Sequence, residues 1–419
     1  MQAADTAAVR SGNKQKYLGK KGMIVFIAFL SAFIPLSTDL YLPALPGMAE
    51  YFNAPVNMVN LTLILFFVFF SVGTLLWGPL SDKYGRKPVL MAGLVIYTLA
   101  SVLCAYAGDI YQLITFRVFQ AIGGSAAGAV AMAMVKDVYD GRKREVVLSV
   151  VHSMVVLAPA VAPVVGAFLL SFTSWRGAFW FLAGAGVLAL AGCVALEETI
   201  GKRYTGTTWK TMGRLGVVLK NPGFTTLLVL FSLPSIPFMA FIAASSYIYI
   251  NGFGLSEQVY SYYFAVNALF LLLGPMLYIH LSGRFRRGSI ITAFFAVISL
   301  SGVLICGLGS MYPWLFAFSL LPSTIAGSGI RPPSTILMLE QQQEDTGSAS
   351  SLIACFGILM GSVGMILISF DWSNIIWALG VLNLVTGLIC GAGWLLVAKK
   401  TFIKQVPDMH TAAIVNEGG

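Results

Sequence analysis

The chain has 419 residues, of which 58% are hydrophobic and only 10% are charged, and its mean hydropathy is +0.83. Soluble domains are close to half apolar and a quarter charged, so this composition excludes a soluble protein and indicates a polytopic membrane protein. A net charge of +9 would fit nucleic-acid binding in a soluble protein, but here the cations lie in loops between apolar segments, which excludes nucleic acid as a partner.

Apolar segments of about 20 residues predict twelve transmembrane spans. They cover roughly 22–45, 57–80, 88–107, 111–136, 146–171, 176–196, 223–250, 258–281, 289–309, 312–337, 347–370 and 373–398. The longest polar interruption, 197–222, divides them six and six. We therefore predict an all-α integral membrane protein of two pseudo-symmetric six-helix bundles, 22–196 and 223–398, joined by a linker at 197–222 and flanked by tails at 1–21 and 399–419.

The cations are concentrated in alternate loops. They precede span 1, follow spans 2, 4, 8 and 12, and fill the linker, whereas the other loops carry acids and one cation, Arg176. Because cytoplasmic loops are enriched in lysine and arginine, both termini and the linker are predicted to be cytoplasmic. The first twenty residues are polar and lack the apolar core of a signal peptide, so we expect a multi-pass protein of the bacterial inner (plasma) membrane.

One carboxylate, Asp39, lies in the first apolar span, between Pro35 and the pair Pro43 and Pro46. A charge inside a bilayer is costly and marks a functional candidate by default. Each proline removes a backbone donor, so this helix is expected to be bent or locally open. The alternative is that Asp39 lies near the outer end of the span and reaches headgroup water.

Span 4 carries another buried charge, Arg117, with Gln120 on the same helical face. At 1.5 Å per residue, Arg117 lies about 12 Å and Asp39 about 10 Å from the outer face, so their depths agree. A carboxylate on another helix can offset the cost of an isolated buried arginine. We infer that Asp39 and Arg117 interact, directly or through water.

An internal repeat relates the two halves. LSDKYGRK (Leu80 to Lys87) recurs as LSGRFRRG (Leu281 to Gly288) 201 residues later. Two six-span bundles in parallel repeat are typical of transporters that rock around a midplane site. Likewise IPLSTD around Pro35 lies about 202 residues before IPFMAF around Pro237, and in that register Phe241 corresponds to Asp39. We therefore predict that proton chemistry is confined to the first half.

The segment GPLSDKYGRKP after span 2 combines glycines, an acid and bases. Gly78 and Gly85 permit close helix approach and a tight turn, and Asp82 can satisfy a helix N-terminus or pair with a nearby arginine. The alternative is an ordinary basic loop.

Span 5 has two prolines and a glycine at positions i, i+4 and i+7, which share one helical face and predict a bent helix with a smooth surface for close packing. They are Pro159, Pro163 and Gly166.

GPLSDKYGRKP resembles the signature loop of the major facilitator superfamily, G-x-L-x-D-R/K-x-G-R-K/R. That resemblance implies a conformational latch between the halves, formed by Gly78, Asp82, Gly85 and Arg86, in which Asp82 and Arg86 stabilise the outward-open state. The second copy has Gly283 in place of Asp82, so the latch is expected on one side only.

Two spans extend the resemblance. Arg117, Gln120 and the following glycines are similar to the family's proton-linked motif, with Ala121 where the family has Gly. Span 5 partly matches the antiporter motif G-x-x-x-G-P-x-x-G-G, with Ala167 in place of the last glycine, which supports export. Together with STDLYLPALPGM, span 5 resembles the bicyclomycin and chloramphenicol resistance branch of drug:proton antiporters.

Weaker candidates have open alternatives. Arg331 either faces the cavity of the second half, where it would hold an anionic or polar substrate group, or snorkels toward the cytoplasm. His152 is either a packing residue or a proton relay. Asn267 lies deep enough to face substrate. Tyrosines flanking the outer ends of spans 7 and 8 predict an interfacial aromatic belt: Tyr247, Tyr249, Tyr260, Tyr262 and Tyr263.

The five cysteines have neither metal-type nor disulfide-type spacing, and the sequence contains no P-loop, hydrolytic triad or dinucleotide fingerprint. We therefore predict no enzyme, no metal and no cofactor, with the proton as coupling ion.

The expected function is proton-coupled multidrug efflux: a monomer in the lipid bilayer that exports small, largely apolar compounds of amphenicol or bicyclomycin type by alternating access. Asp39 and Arg117 would couple the proton, and the substrate cavity would contain Asp39, Arg117, Gln120, Phe241, Asn267 and Arg331. The alternatives are a dedicated exporter of a metabolite, such as a siderophore, sugar or amino acid derivative, and a proton-coupled importer, against which the prolines of span 5 count.

Overall fold

The computed structural model describes residues 15–201, 203, 208–342, 346–398 and 400–404, and within them all regular secondary structure is helical. Twelve helical segments in this part of the chain are long and apolar enough to cross a membrane. Numbered as spans 1 to 12, they are Lys21–Tyr51, Val56–Tyr84, Arg86–Tyr106, Ile110–Val138, Gly141–Leu170, Arg176–Ala195, Pro222–Gly252, Glu257–Ser282, Arg287–Leu308, Pro313–Glu340, Thr346–Ile368 and Ile375–Val397. The predicted fold class is confirmed.

Three spans are made of more than one helix. Span 1 contains the α-helices Gly19–Ser31, Phe33–Asp39 and Leu45–Tyr51 and a 3-10 turn, Leu42–Ala44. Span 7 contains Pro222–Ser232, Ser235–Ser246 and a π-helical turn, Tyr247–Gly252, and span 8 contains Glu257–Phe270 and Leu273–Ser282.

The breaks in span 1 follow from its prolines. A proline has no N–H, so the carbonyl four residues earlier loses its helical donor. For Pro35 that carbonyl belongs to Ser31, where the first helix ends, and for Pro43 it belongs to Asp39, where the second ends. The predicted bent helix is confirmed, and one of its interruptions falls directly at the acid.

The chain divides into two compact units, Met1–Met212 and Gly213–Gly419, with spans 1–6 in the first and spans 7–12 in the second. The polar stretch 197–222 is not all loop, because it contains a further helix, Thr208–Leu219.

Small residues bring helices together at equivalent places in both units. A Cβ added to Gly73 in span 2 would overlap the side chain of Ser125 in span 4. In the second unit, a Cβ added to Gly274 in span 8 would overlap Ser328 in span 10. The two glycines are separated by the same 201 residues as the two copies of the basic motif. Small residues of this kind let membrane helices approach closely, so the internal repeat extends to the packing.

Span 5 packs closely against span 1, as its small-residue face predicts. Pro159 and Pro163 lie inside the helix Gly141–Leu170. A Cβ added to Gly166 would overlap the main-chain oxygen of Leu40, the residue after Asp39. The absence of a side chain at Gly166 therefore allows the interrupted part of span 1 to pack directly against span 5.

Candidate transport site

Arg117 is the centre of a buried polar network in the first unit. Its side chain is 0% exposed. Its Nη1 donates to the main-chain oxygen of Ser37 at 2.9 Å and to Oε1 of Gln120 at 2.6 Å. Its Nη2 donates to the Tyr41 hydroxyl at 3.2 Å, and its Nε donates to the main-chain oxygen of Thr62 at 3.4 Å. Each guanidinium nitrogen thus has an acceptor inside the bundle, which offsets much of the cost of burying the charge.

Aromatic rings complete the surroundings of this guanidinium. Its Cζ lies 4.5 Å from the ring centroid of Tyr41, 4.2 Å from that of Phe66 and 5.8 Å from that of Phe179. Ring faces carry partial negative charge and attract a cation most strongly where water is excluded. The positive charge is therefore stabilised by rings and neutral oxygens from spans 1, 2, 4 and 6.

The hydroxyl groups around Arg117 form a directed chain. The Thr62 hydroxyl donates to the Val59 main-chain oxygen at 2.6 Å, so it accepts from the Tyr41 hydroxyl at 3.1 Å. The Tyr41 hydroxyl in turn accepts from Arg117. Nε2 of Gln120 donates to Oγ of Ser101 at 2.7 Å. Arg117 and Gln120 share one face, as predicted, but sequence reasoning missed Tyr41, Thr62 and Ser101, because hydroxyls carry no signal of their own in an apolar span.

Asp39 is also buried, with 5% of its surface exposed. Its Oδ1 accepts a hydrogen bond from the hydroxyl of the adjacent Thr38 at 2.9 Å. This burial contradicts the alternative in which Asp39 reaches headgroup water. The ion pairs in the part of the chain that the structure describes join Arg86 to Asp82, Arg86 to Asp137 and Arg144 to Asp140, so Asp39 is in none of them.

Asp39 and Arg117 therefore make no direct ion pair in the described residues, and the other form of the prediction, an interaction through water, stays a prediction. Consecutive residues of an α-helix are rotated by about 100°, so residues two apart point in nearly opposite directions. Arg117 bonds the main-chain oxygen of Ser37, whose hydroxyl bonds the Tyr97 hydroxyl at 2.7 Å and therefore faces the bundle. Asp39, two positions later, lies on the other side of span 1. Arg117 contacts Ser37 and Tyr41, which lie on either side of Asp39 along the chain, so rotation about the helix axis, and not position along it, separates the two charges.

The second unit contains a cavity of about 60 Å³ lined by spans 7, 9, 10 and 12 and by Leu271. Of the residues predicted to form one substrate cavity, Phe241 and Arg331 are on its wall, whereas Asp39, Arg117 and Gln120 are not. The structure thus places Arg331 at the cavity, with its Cζ 5.5 Å from the ring centroid of Phe238. Asn267 is buried beside the cavity and donates to the Thr324 hydroxyl at 3.1 Å, so it positions a wall residue and does not line the wall itself.

Several predicted tyrosines do not form an interfacial belt. Tyr247, Tyr249 and Tyr260 are buried, and the Tyr249 ring lies 4.9 Å from that of Tyr263 and 5.4 Å from that of Phe316 in span 10. The prediction is wrong for these three because packing within the unit buries them, for Tyr249 and Tyr260 against other aromatic rings. Tyr262 is 58% exposed and remains compatible with a belt. The side chain of His152 lies outside the part of the chain that the structure describes.

The basic motif after span 2 forms a charge cluster. Nη1 of Arg86 donates to Oδ1 of Asp82 at 2.6 Å, and Nε donates to Oδ2 of Asp137, at the end of span 4, at 2.8 Å. Arg86 is only 6% exposed. Of the two partners suggested for Asp82 by its spacing, the structure selects the arginine. Gly78 has open space around it, so close approach is not the reason for a glycine there.

A second acid of this cluster, Glu198, was missed by sequence reasoning. Its carboxylate accepts from the main-chain N–H of Arg86 at 2.9 Å and of Lys87 at 3.3 Å. These are the first two residues of span 3, whose N–H groups have no helical partner. Gly85 adopts φ +108°, and a Cβ there would overlap Glu198. Glycine is thus required both for the backbone conformation and for the approach of the carboxylate.

Within the described residues, no group of three or more His, Cys, Asp or Glu side chains is arranged to hold a metal ion. The five cysteines are free, and four of them are buried. They pack as small apolar residues in the helix interfaces.

Comparisons with known proteins agree with this architecture. The chain is 29% identical over 378 residues to an uncharacterized MFS-type transporter, YdgK, of Bacillus subtilis (strain 168), covering 87% of this chain and 92% of the relative. It is 27% identical over 368 residues to the chloramphenicol resistance protein of Pseudomonas aeruginosa, covering 85% of this chain and 87% of the relative.

A crystal structure of the peptide transporter POT in complex with sulfate has the same fold, with a TM-score of 0.73 at 15% identity, over 95% of this chain and 99% of that one. Residues 25–365 match the Major Facilitator Superfamily. This match covers more than half of the chain and extends from the first unit into the second, as far as span 11. The chain therefore belongs to the Major Facilitator Superfamily and is a membrane transporter.

Proposed function

We propose that this transporter is a proton-coupled multidrug efflux antiporter that exports small, largely apolar compounds by alternating access. Efflux is supported by the similarity to a protein named for chloramphenicol resistance over most of both chains. A cavity with aromatic and aliphatic walls suits compounds of that kind. We also propose that it acts as a monomer in the bacterial inner membrane with both termini in the cytoplasm, as the distribution of lysine and arginine favours.

The observation that carries proton coupling is the environment of Asp39. It is a buried carboxylate in a membrane span, and it accepts a hydrogen bond from one neutral hydroxyl, that of Thr38. An ionised carboxylate in such a place is costly, and binding a proton removes the charge. Because Arg117 is held by other acceptors, Asp39 is able to gain and lose a proton without breaking an ion pair.

The position of Asp39 suggests how protonation would be transmitted. It is the last residue of the helix Phe33–Asp39, and the next residue contacts Gly166 of span 5. A change of charge at this break acts where the helix of span 1 is interrupted and on the contact of span 1 with span 5. Arg117 would keep the surrounding helices in register and present a constant positive charge. Antiport then requires only that proton and substrate favour opposite conformations.

The test is proton release by the detergent-purified protein when chloramphenicol is added in weakly buffered solution near neutral pH. Wild type is expected to release protons, and Asp39→Asn is expected to bind the compound without release. Asp371→Asn is the matched control, because Asp371 is an exposed acid in the loop after span 11. It should release as much as wild type.

Two outcomes would contradict the proposal. Equal release from wild type and Asp39→Asn would place the titrating group elsewhere in the protein. Saturable chloramphenicol binding without release at any pH would exclude proton antiport for this compound. The direction of uptake in vesicles with an imposed pH gradient separates export from import.

A further inference from the structure

The cavity of the second unit has a cation on its wall and no acid. Among the described residues that line it, Arg331 is charged and none is Asp or Glu. The ion pairs of the described residues do not include Arg331. Its partner in the structure is the ring of Phe238, 5.5 Å from its Cζ. A guanidinium in a membrane span whose neighbour is a ring face retains N–H donors that a ligand can engage.

The other polar groups of the cavity are mostly engaged with their own helices. The hydroxyls of Ser323, Ser328 and Ser334 donate to main-chain oxygens of span 10 at 3.0 Å each, so they offer acceptor lone pairs and no free proton. Ser235, at the start of the second helix of span 7, also lines the cavity and makes no such bond in the described part of the chain. The donors that remain for a ligand are Arg331, the Ser235 hydroxyl and the second N–H of the Asn383 amide, whose Nδ2 also donates to the Leu379 main-chain oxygen at 3.0 Å.

The rest of the wall is apolar and partly aromatic. Three phenylalanines face the same space as Arg331: Phe231, Phe238 and Phe241. Aromatic rings stack on one another in offset or edge-to-face arrangements and add to the burial of apolar surface. A cation with free donors beside ring faces fits a ligand that has an aromatic body and one acidic group.

We propose that this cavity binds small aromatic organic anions, with Arg331 and Ser235 holding the carboxylate and the phenylalanines holding the ring. The inference names a substrate class for the proposed efflux function and rests on that function where it treats the cavity as part of the transport route. The contrast with Arg117 supports it: the buried cation of the first unit is surrounded by protein acceptors, whereas Arg331 has an open cavity in front of it.

The experiment compares salicylate with salicylamide, which have the same ring and differ in charge. Binding to detergent-purified wild type is measured by equilibrium dialysis of the radiolabelled compounds at neutral pH. Salicylate is expected to bind about tenfold more tightly than salicylamide, as for one charge-assisted hydrogen-bonded contact. Equal affinities, or no saturable salicylate binding, would overturn the proposal.

Variants assign the preference to the named residues. Arg331→Gln is expected to bind both compounds equally, with salicylamide affinity unchanged, and Arg331→Lys to retain part of the preference because it keeps the charge but not the planar fork. Ser235→Ala should bind salicylate about threefold more weakly, as expected for the loss of one neutral hydrogen bond, and should bind salicylamide as wild type does. The matched control is Arg284→Gln, an exposed arginine outside the cavity, which should bind as wild type does.

Loss of both ligands to the same extent in Arg331→Gln would show that Arg331 maintains the structure and does not select charge, which would overturn the proposal. If that variant fails to fold, the wild-type preference and the selective loss in Ser235→Ala decide the question. The proposed efflux function is tested separately. If wild type binds chloramphenicol without releasing protons but still prefers salicylate to salicylamide, the proton-coupled efflux proposal fails and the proposal of an anion-binding cavity stands.

Discussion

The two six-span units share a helix-packing framework but differ in the ionisable residues that they carry inside their spans. Each unit begins with a span whose helix is interrupted near a proline, Pro35 in span 1 and Pro237 in span 7. In each unit, a Cβ added to one glycine of another span would overlap the main chain of this first span. In the first unit the glycine is Gly166 against Leu40, and in the second it is Gly364 against Ile236. The packing of the repeat is therefore retained in both copies.

The charges differ where the packing does not. The first unit buries Asp39 and Arg117, whereas the second has Phe241 in the register of Asp39 and an open cavity beside Arg331. The basic motif differs in the same way, since Arg86 pairs with Asp82 but the second copy has Gly283 at that position. The comparison teaches that small residues preserve the framework, while a few ionisable positions give each unit its own chemistry.

The largest effect is expected from removing the cation of the first unit. Arg117→Gln would leave the acceptors on Ser37, Thr62 and Tyr41 without a donor in a buried site, so it should destabilise the protein by about 3 kcal/mol. Arg331→Gln is the matched change in the second unit and should alter stability by less than about 0.5 kcal/mol. The measurement is the thermal unfolding midpoint in detergent. Equal midpoints for the two variants would contradict the view that Arg117 stabilises the fold whereas Arg331 is available to a ligand.

A smaller effect is expected where span 5 meets span 1. Gly166→Ala places a Cβ against the Leu40 oxygen and should cost about 1–3 kcal/mol, as overpacking does. Gly184→Ala in span 6 is the control, because nothing lies within 4 Å of that Cβ. Gly364→Ala should destabilise similarly to Gly166→Ala, but only Gly166→Ala should also reduce proton release. Reduced release in both would mean that coupling is not confined to the first unit.

The smallest effect concerns the start of span 3. Glu198→Gln removes the negative charge that accepts from the first two N–H groups of the helix, and should cost about 1 kcal/mol of stability. Span 9 in the second unit begins at Arg287 with no side-chain cap from its N-cap residue, Arg286. The neighbouring change Glu197→Gln is the control, measured by the same unfolding assay. A larger loss in the control would refute the capping role of Glu198.

Much of the fold follows from composition and periodicity. The number of spans, the bent first span and the repeat were predictable, because a bilayer demands long apolar segments and a proline removes a specific hydrogen bond. Both properties are local in the sequence. The individual charges Asp39 and Arg117 were also predictable as buried, since each stands alone in an apolar stretch.

The partners of those charges were decided by the tertiary structure alone. Asp39 and Arg117 make no direct ion pair because position along the chain sets how far into the bundle a residue lies, whereas the rotation of each helix sets which neighbours its side chain faces. Glu198 was missed because its carboxylate reaches a helix start more than 100 residues away in sequence. Arg331 had two possible environments until spans 7 and 10 were placed around one cavity. Local sequence specifies which groups enter the membrane, and only helix packing specifies what each of them meets there.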